Sequence, residues 1–155
     1  MKSILILHDI RSAQNVGSLF RTADAAGVQK IYLSSITPAP LDRFGRPRSD
    51  IAKTALGAEK SIPWELYDDV HRLIQTLQVE GIQVIAIEQS PESVDYKTIS
   101  PADKVALILG NEVTGLPQEI LKQVAVVAEI PMAGTKESLN VSVAGGIALF
   151  RILGR

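Results

Sequence analysis

Five short runs of this sequence are apolar at nearly every position, and each lies between stretches with a different, helical spacing of apolar residues. The five runs span residues 3–7, 30–34, 83–87, 105–109 and 124–130. A strand that is apolar on both faces is typical of a parallel sheet covered by helices on either side. The alternation predicts a three-layer α/β fold with a mostly parallel sheet.

Apolar residues spaced by three and four positions predict the helices between these strands. Asn15 is expected to cap the first helix and Gly27 to end it, and Asn140 is expected to cap the last helix. Pro117 is expected at the first helical position of a short helix. The predicted helices span residues 15–26, 50–56, 66–80, a short stretch after 117, and 141–153.

Composition excludes several classes of protein. The 155 residues include no cysteine and only two histidines, so thiolate zinc sites, disulfides and cysteine nucleophiles are excluded, and no metal is expected. His8 and His71 are interpreted as structural or surface residues. We expect one domain over residues 1–155 without an appended RNA-binding domain. No apolar run suits a signal peptide or a membrane span, so a cytoplasmic location is expected.

Common nucleotide-binding motifs are absent. Residues 110–115 have the outer glycine spacing of a phosphate-binding loop, but Leu116 and Pro117 stand where lysine and serine or threonine are required. No G-x-G-x-x-G follows the first strand. An ATP-dependent or dinucleotide-dependent enzyme of the usual kinds is therefore not expected.

Three polar clusters remain as candidates for function. Arg21 follows Asn15 on the first predicted helix, and Glu112 lies in the turn after the strand at 105–109. Ser138 and Asn140 lie before the last helix. Each cluster alone is equally typical of an ordinary feature, namely a solvated arginine, a polar turn or a helix cap.

Taken together, the clusters resemble the three motifs of SpoU-type RNA methyltransferases of the SPOUT superfamily. They read Asn-x-Gly-x-x-x-Arg-Thr-Ala at 15–23, Leu-Gly-Asn-Glu-x-x-Gly-Leu at 109–116, and Ile-Pro-Met-x₅-Ser-Leu-Asn-Val-Ser-Val-Ala at 130–144. The resemblance implies a deep C-terminal trefoil knot that binds S-adenosylmethionine. It also implies transfer of a methyl group to a ribose 2′-hydroxyl of RNA, and a homodimer with catalytic residues contributed across the interface.

The resemblance also implies roles for individual residues. The expected catalytic residues are Arg21, Asn15, Glu112, Ser138 and Asn140. Arg21 is expected to act as a fixed cation, because a guanidinium does not deprotonate in proteins. The expected cofactor contacts are backbone groups near Gly110, Ile130 and Leu139 and apolar walls from Leu109, Leu116 and Met132.

Local charge provides a candidate RNA surface in a chain whose formal net charge is only −1. The candidate phosphate contacts are Arg11, Arg43, Arg46, Arg48 and Lys53. By resemblance to minimal family members, the expected RNA is a transfer RNA, with a ribosomal RNA as the alternative. The alternative is a knotted RNA-binding or assembly module without catalysis, although an intact set of motif residues argues against it.

Overall fold

Seven strands form one sheet in which every pairing is parallel. The computed structural model describes residues 1–155. The strands are β1 Lys2–His8, β2 Lys30–Ser34, β3 Trp64–Leu66, β4 Gln83–Ile87, β5 Val94–Asp95, β6 Lys104–Leu109 and β7 Val126–Glu129. Their order in the sheet is β3-β2-β1-β6-β4-β7-β5. The parallel sheet predicted from the sequence is confirmed.

Helices cover both faces of this sheet. They are α1 Ala13–Ala25, α2 Ser49–Ala55, α3 Ala58–Ser61, α4 Val70–Val79, α5 Gln118–Gln123 and α6 Val141–Leu153, and Tyr96–Thr98 forms one 3₁₀ turn. Alternate residues of β1 point to opposite faces. Leu5 and Leu7 pack in one core cluster with residues of α1, α2, α3 and α6, and Ile4 and Ile6 pack in the other with α4 and α5. The three predicted layers are therefore present.

Two predicted helix starts are wrong by two or more residues, and Pro117 is the cap of α5 rather than its first helical residue. The helix expected at residues 66–80 begins at Val70, where Asp69 caps it by accepting a hydrogen bond from the Arg72 backbone N–H at 3.1 Å. Leu66 belongs instead to the edge strand β3. The first helix begins at Ala13, and its cap is Ser12, whose Oγ accepts from the Asn15 backbone N–H at 3.1 Å. The Asn15 side chain is thereby left for other contacts.

The carboxyl ends of β1, β4, β6 and β7 meet at one edge of the sheet because these strands are neighbours and parallel. Open α/β sheets bind ligands at this edge. The loops that leave it span residues 9–12, 88–93, 110–117 and 130–140. None of the helices is both long and apolar enough to cross a membrane.

Candidate active site

Three of these loops and the start of α6 enclose a cavity of about 320 Å³. A volume of this size lies at the lower end of the range for small-molecule sites. The cavity is lined by five of the six residues expected to contact a cofactor, namely Leu109, Gly110, Ile130, Met132 and Leu139. Glu112 and Ser138 line it as well. Residues chosen from the second and third motifs thus lie in one pocket.

The charge of the pocket is negative. Four carboxylates are among its lining residues, Glu88, Glu112, Glu129 and Glu137, and no lysine or arginine is among them. A cleft lined by charges of one sign raises the local concentration of the opposite charge. The pocket therefore favours a ligand that carries positive charge.

Leu116 is placed differently from the expectation. It does not line the cavity and is only 5% exposed, packed in the core cluster on the α4 side of the sheet. A Cβ atom on Gly110 would lie 2.7 Å from the Leu116 Cγ and 2.7 Å from the Gly115 carbonyl carbon. The expected role of Leu116 as an adenine wall stays a prediction. In the structure Leu116 supports the turn from beneath, because the missing side chain at Gly110 lets it fold inward.

Side chains that the sequence reasoning did not select hold this turn in place. Glu88 follows β4 directly, and its Oε2 accepts from the Leu116 backbone N–H at 2.9 Å. Asn111 Oδ1 accepts from the backbone N–H groups of Val113 and Thr114 at 2.9 and 3.0 Å. The sequence signal for Glu88 is its position at the carboxyl end of a predicted strand, but one carboxylate at such a position is not distinctive.

A second missed residue connects two sides of the pocket. Gln89 Nε2 donates to the Glu137 carbonyl oxygen at 2.8 Å, which ties the loop after β4 to the loop before α6. The loop that contains Ser138 has few other such contacts and is exposed at residues 133–140. Gln89 therefore restrains the wall of the pocket that the third motif forms.

Glu112 binds the amino end of α1. Its Oε1 accepts from the Ser12 backbone N–H at 3.0 Å and from Asn15 Nδ2 at 3.4 Å, and its Oε2 accepts from the Arg11 backbone N–H at 3.2 Å. Burial raises the pKa of Glu112, but the hydrogen bonds from the backbone of Ser12 and Arg11 and from Asn15 outweigh it, so the pKa lies below its ordinary value. Glu112 is held as an anion at a helix amino terminus, where negative charge is stabilised.

Asn15 joins the first motif to the other two. Besides donating to Glu112, it accepts at Oδ1 from Asn140 Nδ2 at 3.3 Å. Asn140 also caps α6 as predicted, because its Oδ1 accepts from the Ser142 backbone N–H at 2.9 Å. Of the five expected catalytic residues, Glu112 and Ser138 line the pocket and Asn15 is hydrogen-bonded to Glu112. Asn140 lies between the lining residues Leu139 and Val141 and is hydrogen-bonded to Asn15.

Arg21, the fifth expected catalytic residue, does not line this pocket. Its exposed side chain lines a second, more open cavity together with Lys53 of α2 and Phe150 of α6. Arg21 is six residues beyond Asn15 on α1, which is about 9 Å along a helix. Within one copy of the chain, Arg21 is thus separated from the carboxylate-lined pocket.

The five candidate RNA contacts divide into paired and unpaired cations. Arg46 Nε lies 3.1 Å from Asp42 Oδ2, and Arg48 Nη2 lies 2.7 Å from Asp50 Oδ2. The other three make no ion pair, and these are Arg11, Arg43 and Lys53. The basic surface is therefore weaker than a count of its arginines indicates.

The histidines lie outside the pocket. His8 Nδ1 is 2.8 Å from Ser34 Oγ, and His71 Nδ1 is 2.8 Å from Gln123 Oε1. Burial lowers the pKa of His8, with a smaller opposing effect from Asp9 and a smaller lowering effect from His71. No group of three or more metal-binding side chains converges anywhere in the structure.

Comparison with known proteins agrees with the arrangement of the three motifs. The sequence model of the SpoU rRNA Methylase family matches residues 2–150. The chain belongs to this family. One SpoU relative is the 23S rRNA (guanosine-2′-O-)-methyltransferase RlmB of Neisseria meningitidis, 34% identical over 146 residues that are 94% of this chain and 56% of the relative.

Solved structures of RNA methyltransferases share the fold. The AdoMet-bound rRNA methyltransferase from Sinorhizobium meliloti superposes with a TM-score of 0.87 at 34% identity, over 97% of this chain and 55% of that one. A structure described as "Structural insights into the 2-OH methylation of C/U34 on tRNA" has a TM-score of 0.82 at 25% identity, over 99% of this chain and 98% of that one. The chain spans a little over half the length of the curated relatives that it matches.

Proposed function

We propose that this protein transfers a methyl group from S-adenosylmethionine to a ribose 2′-hydroxyl of RNA. The observation that carries the proposal is the hydrogen-bonded convergence of Asn15, Glu112 and Asn140 at the rim of a carboxylate-lined pocket. These residues come from three separate motifs. Family membership supports the same activity.

The pocket suits S-adenosylmethionine in size and charge. When bound, this cofactor supplies an activated methyl group on a positively charged sulfur. The carboxylates of the pocket would stabilise its sulfonium and ammonium charges, and the product without the sulfonium would be held less strongly. Leu109, Ile130 and Met132 would provide the apolar surface for its adenine, and backbone groups at Gly110 and Leu139 would accept or donate hydrogen bonds.

Arg21 has the chemistry required at the ribose. A guanidinium stays protonated, so it would bind the phosphate next to the target nucleotide and stabilise the alkoxide that develops on the 2′-oxygen. The proton would pass to a phosphate oxygen or to water. Asn15, Ser138 and Asn140 would orient the ribose through their side-chain amide and hydroxyl groups.

We also propose a homodimer in which Arg21 of one copy serves the pocket of the other. Val143, Ile147 and Phe150 form an exposed apolar stripe along α6, at the spacing of one helix face. Phe150 lines the same cavity as Arg21. A second copy packed on this stripe would cover apolar surface and meet Arg21, which supports its action across the interface.

The expected C-terminal trefoil knot is retained as a proposal. It is supported by family membership and by the order of the sheet, where β4 lies between β6 and β7 although it precedes both in the chain. Mechanical unfolding of single molecules from the two termini provides a test. A knotted chain should extend less than its contour length, because the tightened knot retains residues, and full extension would contradict the knot.

For the RNA itself, we propose transfer RNA as the first substrate to test. The similar structure concerned with C/U34 on tRNA is matched over 98% of its length. The match to the relatives named for 23S rRNA covers only 56–58% of their length. A cytoplasmic location would bring the enzyme together with transfer RNA and with ribosomal RNA alike.

Calorimetry and a methylation assay test this function together. The purified protein should bind S-adenosylmethionine and incorporate labelled methyl groups at 2′-oxygens of RNA. Arg21→Ala should bind the cofactor normally but lose most of the methyl transfer, about 10²-fold or more as expected for removing a charge-stabilising group. Absence of cofactor binding would instead favour a non-catalytic RNA-binding module, and methylation confined to ribosomal RNA would refute the choice of transfer RNA.

A further inference from the structure

The hairpin that spans residues 41–47 displays an exposed aromatic ring close to two guanidinium groups. Phe44 at its tip is 66% exposed. The guanidinium carbon of Arg43 lies 4.8 Å from the centre of the Phe44 ring, and that of Arg46 lies 5.0 Å from it. A single exposed apolar residue is ordinary on a protein surface. Here, however, the ring is part of an ordered cationic cluster.

The tip is held in one conformation by its own hydrogen bonds. Asp42 Oδ1 accepts from the backbone N–H groups of Phe44 and Arg46 at 2.8 and 3.0 Å. The Asp42 N–H donates to the Arg46 carbonyl at 2.8 Å, and Leu41 pairs with Pro47 in an antiparallel bridge. Gly45 takes the left-handed conformation that closes the turn. A preformed tip loses little conformational entropy when it binds a ligand.

Charge at the tip points to an anionic ligand. Arg46 is paired with Asp42, so its guanidinium is fixed beside the ring. Arg43 has no carboxylate partner and remains available for a phosphate. Leu41 is the one other exposed large hydrophobic residue within the hairpin, which is too little apolar surface for a protein partner of ordinary interface composition.

A flat aromatic face with adjacent guanidinium planes and one free cation matches the chemistry of an unpaired nucleotide. Bases in single-stranded RNA stack on aromatic side chains and on guanidinium planes, whereas bases within a duplex do not expose their faces. We propose that the 41–47 hairpin binds an unpaired base of the RNA substrate by stacking on Phe44, with Arg43 bound to its phosphate. This proposal rests on the proposed function, because it names a part of the RNA that the enzyme would recognise.

The hairpin is connected to the helix that carries the first motif. It leads directly into α2, and Thr54 Oγ1 of α2 donates to the Gln14 carbonyl oxygen on α1 at 3.0 Å. A base held on Phe44 is thereby kept at a fixed position relative to Asn15 and Arg21. The hairpin would position RNA for methylation without touching the reacting atoms.

Binding of a short single-stranded RNA that contains 2-aminopurine tests the proposal. Phe44→Ala should weaken binding roughly tenfold, whereas Phe44→Tyr, which keeps the ring, should bind like wild type. The salt dependence of binding should not change in Phe44→Ala, because stacking releases no counterions. Arg43→Gln should reduce the slope of log affinity against log salt by about one, and Arg72→Gln on α4 serves as the matched control with an unchanged slope.

These measurements distinguish failure of the hairpin proposal from failure of the proposed function. If wild type methylates RNA and Phe44→Ala binds RNA within about twofold of it, the hairpin proposal is overturned and the function stands. If wild type does not bind single-stranded RNA, the hairpin proposal is equally overturned. If Phe44→Ala changes the mass of the protein in sedimentation but leaves RNA binding unchanged, the hairpin proposal is overturned and the tip is a contact between protein copies. The function itself is judged by cofactor binding and methyl transfer of wild type.

Discussion

Glu112 connects the second motif to the first by accepting hydrogen bonds from two backbone N–H groups and one side-chain amide. In Glu112→Gln, the amide nitrogen would face a donor whichever way the side chain turns. A lost hydrogen bond to a charged group costs about 1–3 kcal/mol. We expect a decrease of this size in the free energy of unfolding at pH 7, measured by urea denaturation. Glu92→Gln, at an exposed position without side-chain hydrogen bonds, should change it little.

The effect of Glu112 should also depend on pH in a defined direction. Since its pKa is lowered in the folded protein, its stabilising contribution is complete above the pKa of the unfolded chain, about 4.3 for a glutamate. That contribution is lost as the pH falls through the folded value. The difference between wild type and Glu112→Gln should therefore shrink in urea titrations below about pH 4. A constant difference across this range would contradict the role of the carboxylate charge.

At the scale of elements, the close approach of α1 and α2 explains the glycine of the first motif. A Cβ atom on Gly17 would collide with the Thr54 side chain and with the Ile51 carbonyl oxygen. Gly17→Ala should therefore push the helices apart and destabilise the fold by about 1–3 kcal/mol, despite the better helix propensity of alanine. Thermal unfolding measures this effect. The matched control is Gly134→Ala, whose Cβ would meet no atom within 4 Å; an equal loss in both variants would refute the packing explanation.

Helices and strands whose apolar residues follow one clear spacing could be predicted from the sequence, and those without such a spacing could not. The core strands β1, β4 and β6 are apolar on both faces, so their position in a parallel sheet follows from composition. The edge strands β3 and β5 are only three and two residues long and contain no buried residue, so they lack the apolar run that identifies a core strand. Leu66 has helical spacing from Val70, yet β3 pairs with β2 and the helix starts only after the Asp69 cap.

The sequence indicates which residues belong to the candidate site, but it does not indicate which contacts they make. Ser12 and Asn15 are both good helix caps, so spacing alone could not decide which one caps α1 and which one binds Glu112. Asn15 and Asn140 are separated by 125 residues in the chain and meet because the strands preceding their loops end at one edge of the sheet. Glu88 was missed because a single carboxylate after a strand has no distinguishing pattern.

At the scale of the whole molecule, the separation of Arg21 from the pocket predicts that two inactive variants can restore activity in a mixed dimer. The test needs one variant without the arginine and one without a usable pocket. Arg21→Ala retains the pocket, and Met132→Trp should fill it, with loss of cofactor binding checked by calorimetry. If Arg21 serves the other subunit, a dimer of one copy of each contains one complete site, formed by the pocket of the first copy and the arginine of the second.

Mixing the two variants with time for subunit exchange should therefore restore methyl transfer. Random pairing makes about half of the dimers mixed, and each has one working site of two, so activity should reach about one quarter of wild type. Each variant alone should remain inactive because all of its sites lack one component. Cross-linking before mixing is the control, since it prevents exchange and should abolish the recovery. If Arg21 acts on the pocket of its own copy, every site in the mixture is defective, and the mixture will stay as inactive as its components.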